Sequence, residues 1–224
     1  MGRLRPAPEG SRVVDAAFVR SWIEEIAASI EAQREYLTQL DAAIGDADHG
    51  VNMHRGFSAV VAKLAAADDL TPGRVLTTAG TTLISTVGGA AGPLYGTAFR
   101  DAGKALGDQP SIDAPELLAA LEASLAGIQR LGAATEGDKT IVDALAPAVA
   151  AFAGEIEHGG TLIAATARAR EAAEVGTRAT VALQARKGRA SYLGPRSVGH
   201  QDPGATSTAL MFSALERVAR RFGP

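Results

Sequence analysis

The spacing of apolar residues leaves this chain little choice but helices. Between Val13 and Ile44, Phe18, Trp22, Ile26, Ile30, Tyr36 and Leu40 recur at roughly helical intervals, with Glu and Arg between them. That pattern puts an apolar stripe on one face of an amphipathic helix. Val/Ile/Thr runs long enough for a buried strand hardly occur. Alanine is abundant and aromatics make up only 4% of 224 residues, so the helix contacts should be close and built from small side chains.

Punctuation divides the rest. The helical pattern resumes over 51–66, and Asp69 or Thr71 opens another helix with Pro72 in its first turn. Gly88-Gly-Ala-Ala-Gly-Pro93 is a turn before an apolar segment ending near Leu106. Ser111 to Glu116 reads as a helix start, with the helix running to about Leu131. Further helices are predicted over 139–153, from Gly159 or Thr161 to about Arg186, and from Pro203 to Phe222. The total is about eight, in a chain long enough for one well-cored domain from residue 13 onward. Residues 1–12, with Arg3, Arg5, Pro6, Pro8 and Gly10, read as a flexible tail without the apolar core of a signal peptide.

Composition excludes several classes. A net charge of −3 with dispersed signs offers no footprint for nucleic acid. No apolar run is long enough to span a membrane. Zero cysteines exclude disulfides and thiolate metal sites and fit a cytoplasmic protein.

The chemistry is concentrated in four connections. In the first, Leu40-Asp41-Ala-Ala-Ile-Gly45-Asp46-Ala-Asp48-His49-Gly50-Val51-Asn52-Met53, three carboxylates fall within eight residues with no Lys or Arg interleaved. Their repulsion calls for a cation, and a hard divalent ion with oxygen ligands suits them. A calcium EF-hand loop fails on Val51 at its sixth position and Phe57 at its twelfth. The competing reading is that Asp46 or Asp48 caps the helix that follows. Glycines at 88–92 would let backbone N–H groups approach a phosphate, or merely permit tight packing.

The third connection, Gly132-Ala-Ala-Thr-Glu-Gly137-Asp138-Lys139-Thr140, falls short of a P-loop because Asp138 stands where the motif's Lys belongs. A capped helix start with a solvated Lys139 accounts for it. The fourth, Lys187 to Ala205, combines glycines and fork-shaped arginine donors suited to phosphate with one acid, Asp202.

Taken in order, LDAAIGDADHGVNM, GGAAGPLYGTAF, GDKTIVDALAPA and GRASYLGPRSVGHQDPGA resemble the nucleotide-binding L subunits of dihydroxyacetone kinases, the DhaL or DAK2 family. The resemblance implies a closed barrel of eight antiparallel α-helices with the nucleotide site in loops at one end. It implies that Asp41, Asp46 and Asp48 hold two Mg²⁺ ions bridging the phosphates of ADP or ATP. His49, Gly50, Val51 and Asn52 then line the nucleotide, Ala90 and Ala91 make a second contact, and Gly132 and Ile141 lie around the adenine. Arg189 falls on the family arginine near the nucleotide, a candidate to stabilise charge on the transferring group, and Asp202, Pro203 and Gly204 on the closing segment. Two departures stand out. Ala91 occupies a position where the family commonly has Ser, and Pro195 replaces a commoner Glu.

The implied activity is phosphoryl transfer to dihydroxyacetone held covalently by a separate K subunit, with ATP or a phosphotransferase-system protein as donor. Alternatives from the same resemblance are a kinase subunit for another short keto-sugar, such as a tetrulose, and a nucleotide-state-dependent partner of a transcription regulator. Self-association as a homodimer stays open.

Overall fold

A computed structural model describes residues 14–222. The expected N-terminal tail, residues 1–12, lies outside the described residues. Nine α-helices make up most of the described chain: α1 (Ala16–Ala32), α2 (Arg34–Ile44), α3 (His49–Ala65), α4 (Pro72–Thr86), α5 (Ala91–Leu106), α6 (Ala114–Gly132), α7 (Val142–Glu157), α8 (Leu162–Ala179) and α9 (Pro203–Phe222). Two short 3₁₀ stretches, Thr180–Ala182 and Arg189–Ser197, lie between α8 and α9. The protein is all-helical, as expected, apart from one antiparallel pairing of Val14–Asp15 (β1) with Ser111–Ile112 (β2).

The additional helix comes from a break in the first predicted one. At Gln33 the backbone leaves the helical region (φ −107°, ψ 10°), and α2 begins at the next residue. Phe18, Trp22, Ile26 and Ile30 are buried as the periodicity requires, but in α2 the buried set is Leu37, Asp41 and Ile44. Tyr36 is instead largely exposed. No Gly or Pro marks the break, so local propensity gives no warning of it. Leu37, Asp41 and Ile44 continue the heptad-like spacing that buries Ile30, so the inward face carries through the break and takes Asp41 with it.

Starts and stops follow capping chemistry. Asp15 accepts from the Phe18 N–H, Thr71 caps α4 with Pro72 in the first turn, and Asp113 with Glu116 forms a reciprocal capping box on α6. The predicted 139–153 helix starts three residues late, at Val142. Lys139 is left-handed (φ 63°), and Asp143 reaches back to accept from the Gly137 and Thr140 N–H groups. The helix predicted to reach Arg186 ends at Ala179 and tightens into 3₁₀.

Neighbouring helices pack in sequence, α3 on α4, α4 on α5, α5 on α6, α6 on α7 and α7 on α8. α9 packs against both α8 and α1. Small residues let backbones touch. A Cβ on Gly80 would sit 2.5 Å from the Gly96 carbonyl, and one on Gly103 would sit 2.4 Å from the Gly73 carbonyl. A single cluster of buried apolar side chains runs through all nine helices. Trp22 anchors it to the last helix, its indole N–H donating to the Met211 carbonyl at 2.9 Å. None of the described helices is long and apolar enough to cross a membrane.

Candidate functional site

The four chemistry-bearing connections converge on one cleft of about 750 Å³. Its acidic side is the turn between α2 and α3. Asp41, Asp46 and Asp48 each offer a carboxylate oxygen, and the three oxygens lie within 4.8 Å of one another. Ala47, between the last two, is left-handed (φ 60°), an uncommon conformation for a residue with a Cβ. Gly45 is a steric necessity, since a Cβ there would fall 2.0 Å from the Asp41 Oδ1.

The capping role falls to a different aspartate from the two the spacing suggested. Asp48 occupies the N-cap position of α3 but makes no side-chain capping bond. Asp41, from the preceding helix, takes over that role. Its Oδ2 accepts from the Asp48 N–H at 2.8 Å and the His49 N–H at 3.1 Å. Asp46 pairs with Arg189, Nε to Oδ2 at 3.0 Å, across the cleft. One buried and anchored carboxylate with two more exposed ones is a donor set that fits a hard divalent cation.

Lys187, Gly188 and Arg189 line the same cleft, Arg189 in contact with Asp46. The N-terminus of α5 opens onto the cleft through Ala90, Ala91 and Pro93. Ala90 supplies no side-chain cap, so the positive end of that helix is available to an anion. A Cβ on Gly88 would sit 3.2 Å from the Asn52 amide, a tight but not forbidding contact. Leu94, Ile128, Leu131, Gly132, Ala134 and Ile141 give the cleft an apolar flank. On the remaining side Asp202 accepts from the Ala205 N–H at 2.7 Å, capping α9, and Pro203 and Gly204 follow it along the wall.

Of the residues singled out from sequence, Asp41, Asp46, Asp48, His49, Asn52, Ala90, Ala91, Gly132, Ile141, Arg189, Asp202, Pro203 and Gly204 all line this cleft. Gly50 and Val51 do not. Gly50 is buried against α2, where a Cβ would meet the Arg34 carbonyl at 2.0 Å, and Val51 is 49% exposed on the outer face of α3. Helical geometry explains this. From His49 the next residue on the same face is Asn52, so the intervening pair turns away.

Three features escaped the sequence reading. His49 is buried, its Nε2 2.9 Å from the Ser207 hydroxyl. Burial lowers its pKa from the usual imidazole value, against the opposing pull of Asp41 and Asp48. Tyr95 continues this chain of polar groups. Its hydroxyl contacts Ser207 at 2.7 Å and Thr208 at 2.9 Å and donates to the Gly204 carbonyl at 2.8 Å. Lys139, expected in solvent, is only 1% exposed, and its ammonium donates to four backbone carbonyls. Sequence holds no signal for that burial. The Asp202 carboxyl is pushed up to about 7 by burial, with Asp143 adding to the effect and the Ala205 N–H and Lys139 opposing it.

These features define an all-helical protein in which an oxygen-ligand cluster faces a basic loop across a cleft with an apolar flank. The chain belongs to the DAK2 domain family, whose model matches residues 43–217. It is 44% identical over 200 residues to the ADP-binding subunit DhaL of the PEP-dependent dihydroxyacetone kinase of Escherichia coli (strain K12), covering 89% of this chain and 95% of that one. It is 40% identical over 201 residues to the corresponding subunit of kinase 1 of Listeria innocua serovar 6a, covering 90% and 96%. Among solved structures, the dihydroxyacetone kinase of C. freundii in its native form superposes with a TM-score of 0.69 at 25% identity. That match covers 97% of this chain and 37% of the larger one.

Proposed function

We propose that this chain is the nucleotide-binding, phosphoryl-transferring subunit of a dihydroxyacetone-type kinase, acting on a keto-sugar held by a separate K-type subunit. The observation that carries this reading is the juxtaposition across one cleft of the Asp41/Asp46/Asp48 oxygens with Lys187 and Arg189. Its relatives are named as ADP-binding subunits of PEP-dependent kinases. That favours an ADP kept on the protein and rephosphorylated there by a phosphotransferase-system donor. In this reading the helices close into the family's eight-helix barrel, with α1 and α2 as two parts of one broken helix. The chain is a single domain with the nucleotide site in the loops at one end.

Phosphoryl transfer asks a protein chiefly to position its reactants and to neutralise charge. Asp41, Asp46 and Asp48 would hold Mg²⁺, two ions by family likeness, which supplies charge neutralisation to the phosphate oxygens when bound. Asp41 is fixed for this by its two backbone N–H donors. Gly88 to Ala91 present backbone N–H groups and the α5 N-terminus to phosphate. The apolar flank formed by Leu94, Ile128, Gly132 and Ile141 suits the flat face of adenine. Arg189, already 3.0 Å from Asp46, lies beside the region where charge develops and is assigned to the transferring phosphoryl group. The acceptor is a sugar hydroxyl, so no nucleophile is required on this chain.

The test is reconstitution with a K-type subunit, dihydroxyacetone and the phosphotransferase-system donor. Asp46→Ala should abolish transfer while the helical circular dichroism is retained. Undiminished turnover would sink the proposal. ADP that stays with gently purified protein through dialysis supports the retained-nucleotide route, whereas freely exchanging ATP points to direct transfer from ATP.

A further inference from the structure

The GDKT block places a lysine where a phosphate-binding lysine would be sought, yet the ammonium of Lys139 points elsewhere. Its three protons are shared among the carbonyls of Thr180 at 2.9 Å, Leu183 at 3.0 Å, Ser197 at 2.6 Å and His200 at 2.5 Å. With all its donors engaged and its side chain buried, it has nothing left to offer a phosphate. The four acceptors are informative. Thr180 and Leu183 stand where the chain leaves α8, and Ser197 and His200 where it returns toward α9. One cation therefore ties together the two strands at the neck of a long surface loop.

That loop carries Lys187, Gly188 and Arg189. Other bonds reinforce the same neck. The Arg186 N–H donates to the Asp138 carbonyl at 3.0 Å, the Gly199 N–H to the Val181 carbonyl at 2.8 Å, and the Ala185 N–H to the Ser197 hydroxyl at 2.9 Å. The Lys139 backbone is held left-handed to make the connection, a strained conformation for a residue with a long side chain.

We propose that Lys139 is a positioning residue for phosphoryl transfer, closing the neck of the 183–200 loop so that Arg189 stands over the aspartate cluster. This rests on the function proposed above. It adds that catalysis depends on an ammonium that touches neither nucleotide nor metal.

The chain has no cysteine, so Lys139→Cys creates a unique thiol. Alkylation with 2-bromoethylamine rebuilds a lysine-like ammonium, and 2-bromoethanol gives a neutral adduct of similar length. If Lys139→Cys does not fold, both reagents can be applied to the unfolded chain before refolding. With a K-type subunit and keto-sugar, the aminoethyl adduct should turn over within about threefold of the unsubstituted protein. The hydroxyethyl adduct should lose about 30-fold or more in kcat with ADP affinity changed less than about threefold, as expected of a misplaced catalytic group. Adding Arg189→Ala to the hydroxyethyl adduct should cost no more than Arg189→Ala alone, because both act through one side chain.

The proposal is overturned if the hydroxyethyl adduct turns over like the aminoethyl adduct, or if it fails to refold. It is equally overturned if ADP affinity falls in step with kcat, or if the two losses multiply. Should the unsubstituted protein show no keto-sugar phosphorylation, the proposed function fails by itself. Amide exchange still tests the pin in that case. Exchange across 183–200 should accelerate in the hydroxyethyl adduct alone, with the helices unchanged, and equal exchange in both adducts refutes it.

Discussion

Asp41 performs two tasks that substitution can separate. It caps α3 through two backbone N–H groups, and it also adds negative charge to a cluster whose oxygens lie within 4.8 Å. Removing an N-cap carboxylate costs about 1 kcal/mol, up to ~2, and loss of its interaction with the helix dipole adds up to ~1 kcal/mol. Against this, deleting the charge relieves repulsion of about 1 kcal/mol with Asp48, Asp46 being already paired with Arg189. Asp41→Ala should therefore lose about 1 kcal/mol net in EDTA, a fall in Tm of about 2–4 °C for a chain of this length. Asp41→Asn retains an oxygen acceptor while losing the charge, so its stability in EDTA should equal or exceed that of the unsubstituted protein. Asp48→Asn removes no capping bond and should likewise be neutral or stabilising. With Mg²⁺ and ADP the order reverses. The unsubstituted protein gains about 2.7 kcal/mol at a hundredfold excess over Kd, and all three variants lose most of that gain. Urea denaturation with and without Mg²⁺·ADP measures each arm. Equal stability of Asp41→Ala and Asp41→Asn in EDTA would refute the capping role. An Asp48→Asn variant as destabilised as Asp41→Ala would refute the assignment of that cap to Asp41.

Two further expectations follow from the site. The Asp202 carboxyl sits near 7 in the folded protein, whereas in the unfolded chain it has the ordinary carboxylate value. From about pH 4 to 7 the folded state thus holds a proton that the unfolded chain has released, so stability falls as pH rises through this window and levels off above it. Asp202→Asn removes that titration, and its stability relative to the parent should rise across the window by up to ~4 kcal/mol. Parallel urea midpoints from pH 4.5 to 8.5 would refute this. Gly50→Ala places a methyl group 2.0 Å from the Arg34 carbonyl and 2.5 Å from the Thr38 hydroxyl, wedging apart the two helices that carry Asp41 and Asp48. It should cost about 1–3 kcal/mol and weaken Mg²⁺-dependent ADP binding, and calorimetric titration showing unchanged affinity would count against it.

Local chemistry was legible wherever a short segment settles its own conformation. The all-helical class, the starts at Thr71–Pro72 and Asp113–Glu116, and the gathering of acids, glycines and arginines into connections all follow from periodicity and capping within a few residues. The acids and arginines announced their chemistry loop by loop and the family resemblance supplied the rest, and thirteen of the fifteen residues so singled out are found together in one cleft. Gly50 and Val51 were the exceptions, since adjacency in sequence cannot tell which side of α3 faces the cleft.

The remainder was decided by distant partners. The break at Gln33 falls at no helix-breaking residue. The cap of α3 comes from the helix before it, so Asp46 and Asp48 are free of the task their spacing suggested. Lys139, apparently made for solvent, is buried because carbonyls up to 61 residues away in sequence converge on its ammonium. By itself, then, the sequence determined that the chain forms helices and which residue types gather in the connections that line the cleft. Only tertiary structure decided which carboxylate is anchored, which residues face the cleft and what holds the arginine loop in place. The physical reason is range: caps and apolar periodicity act over three or four residues, whereas burial and shared donors are properties of groups brought together by the whole fold.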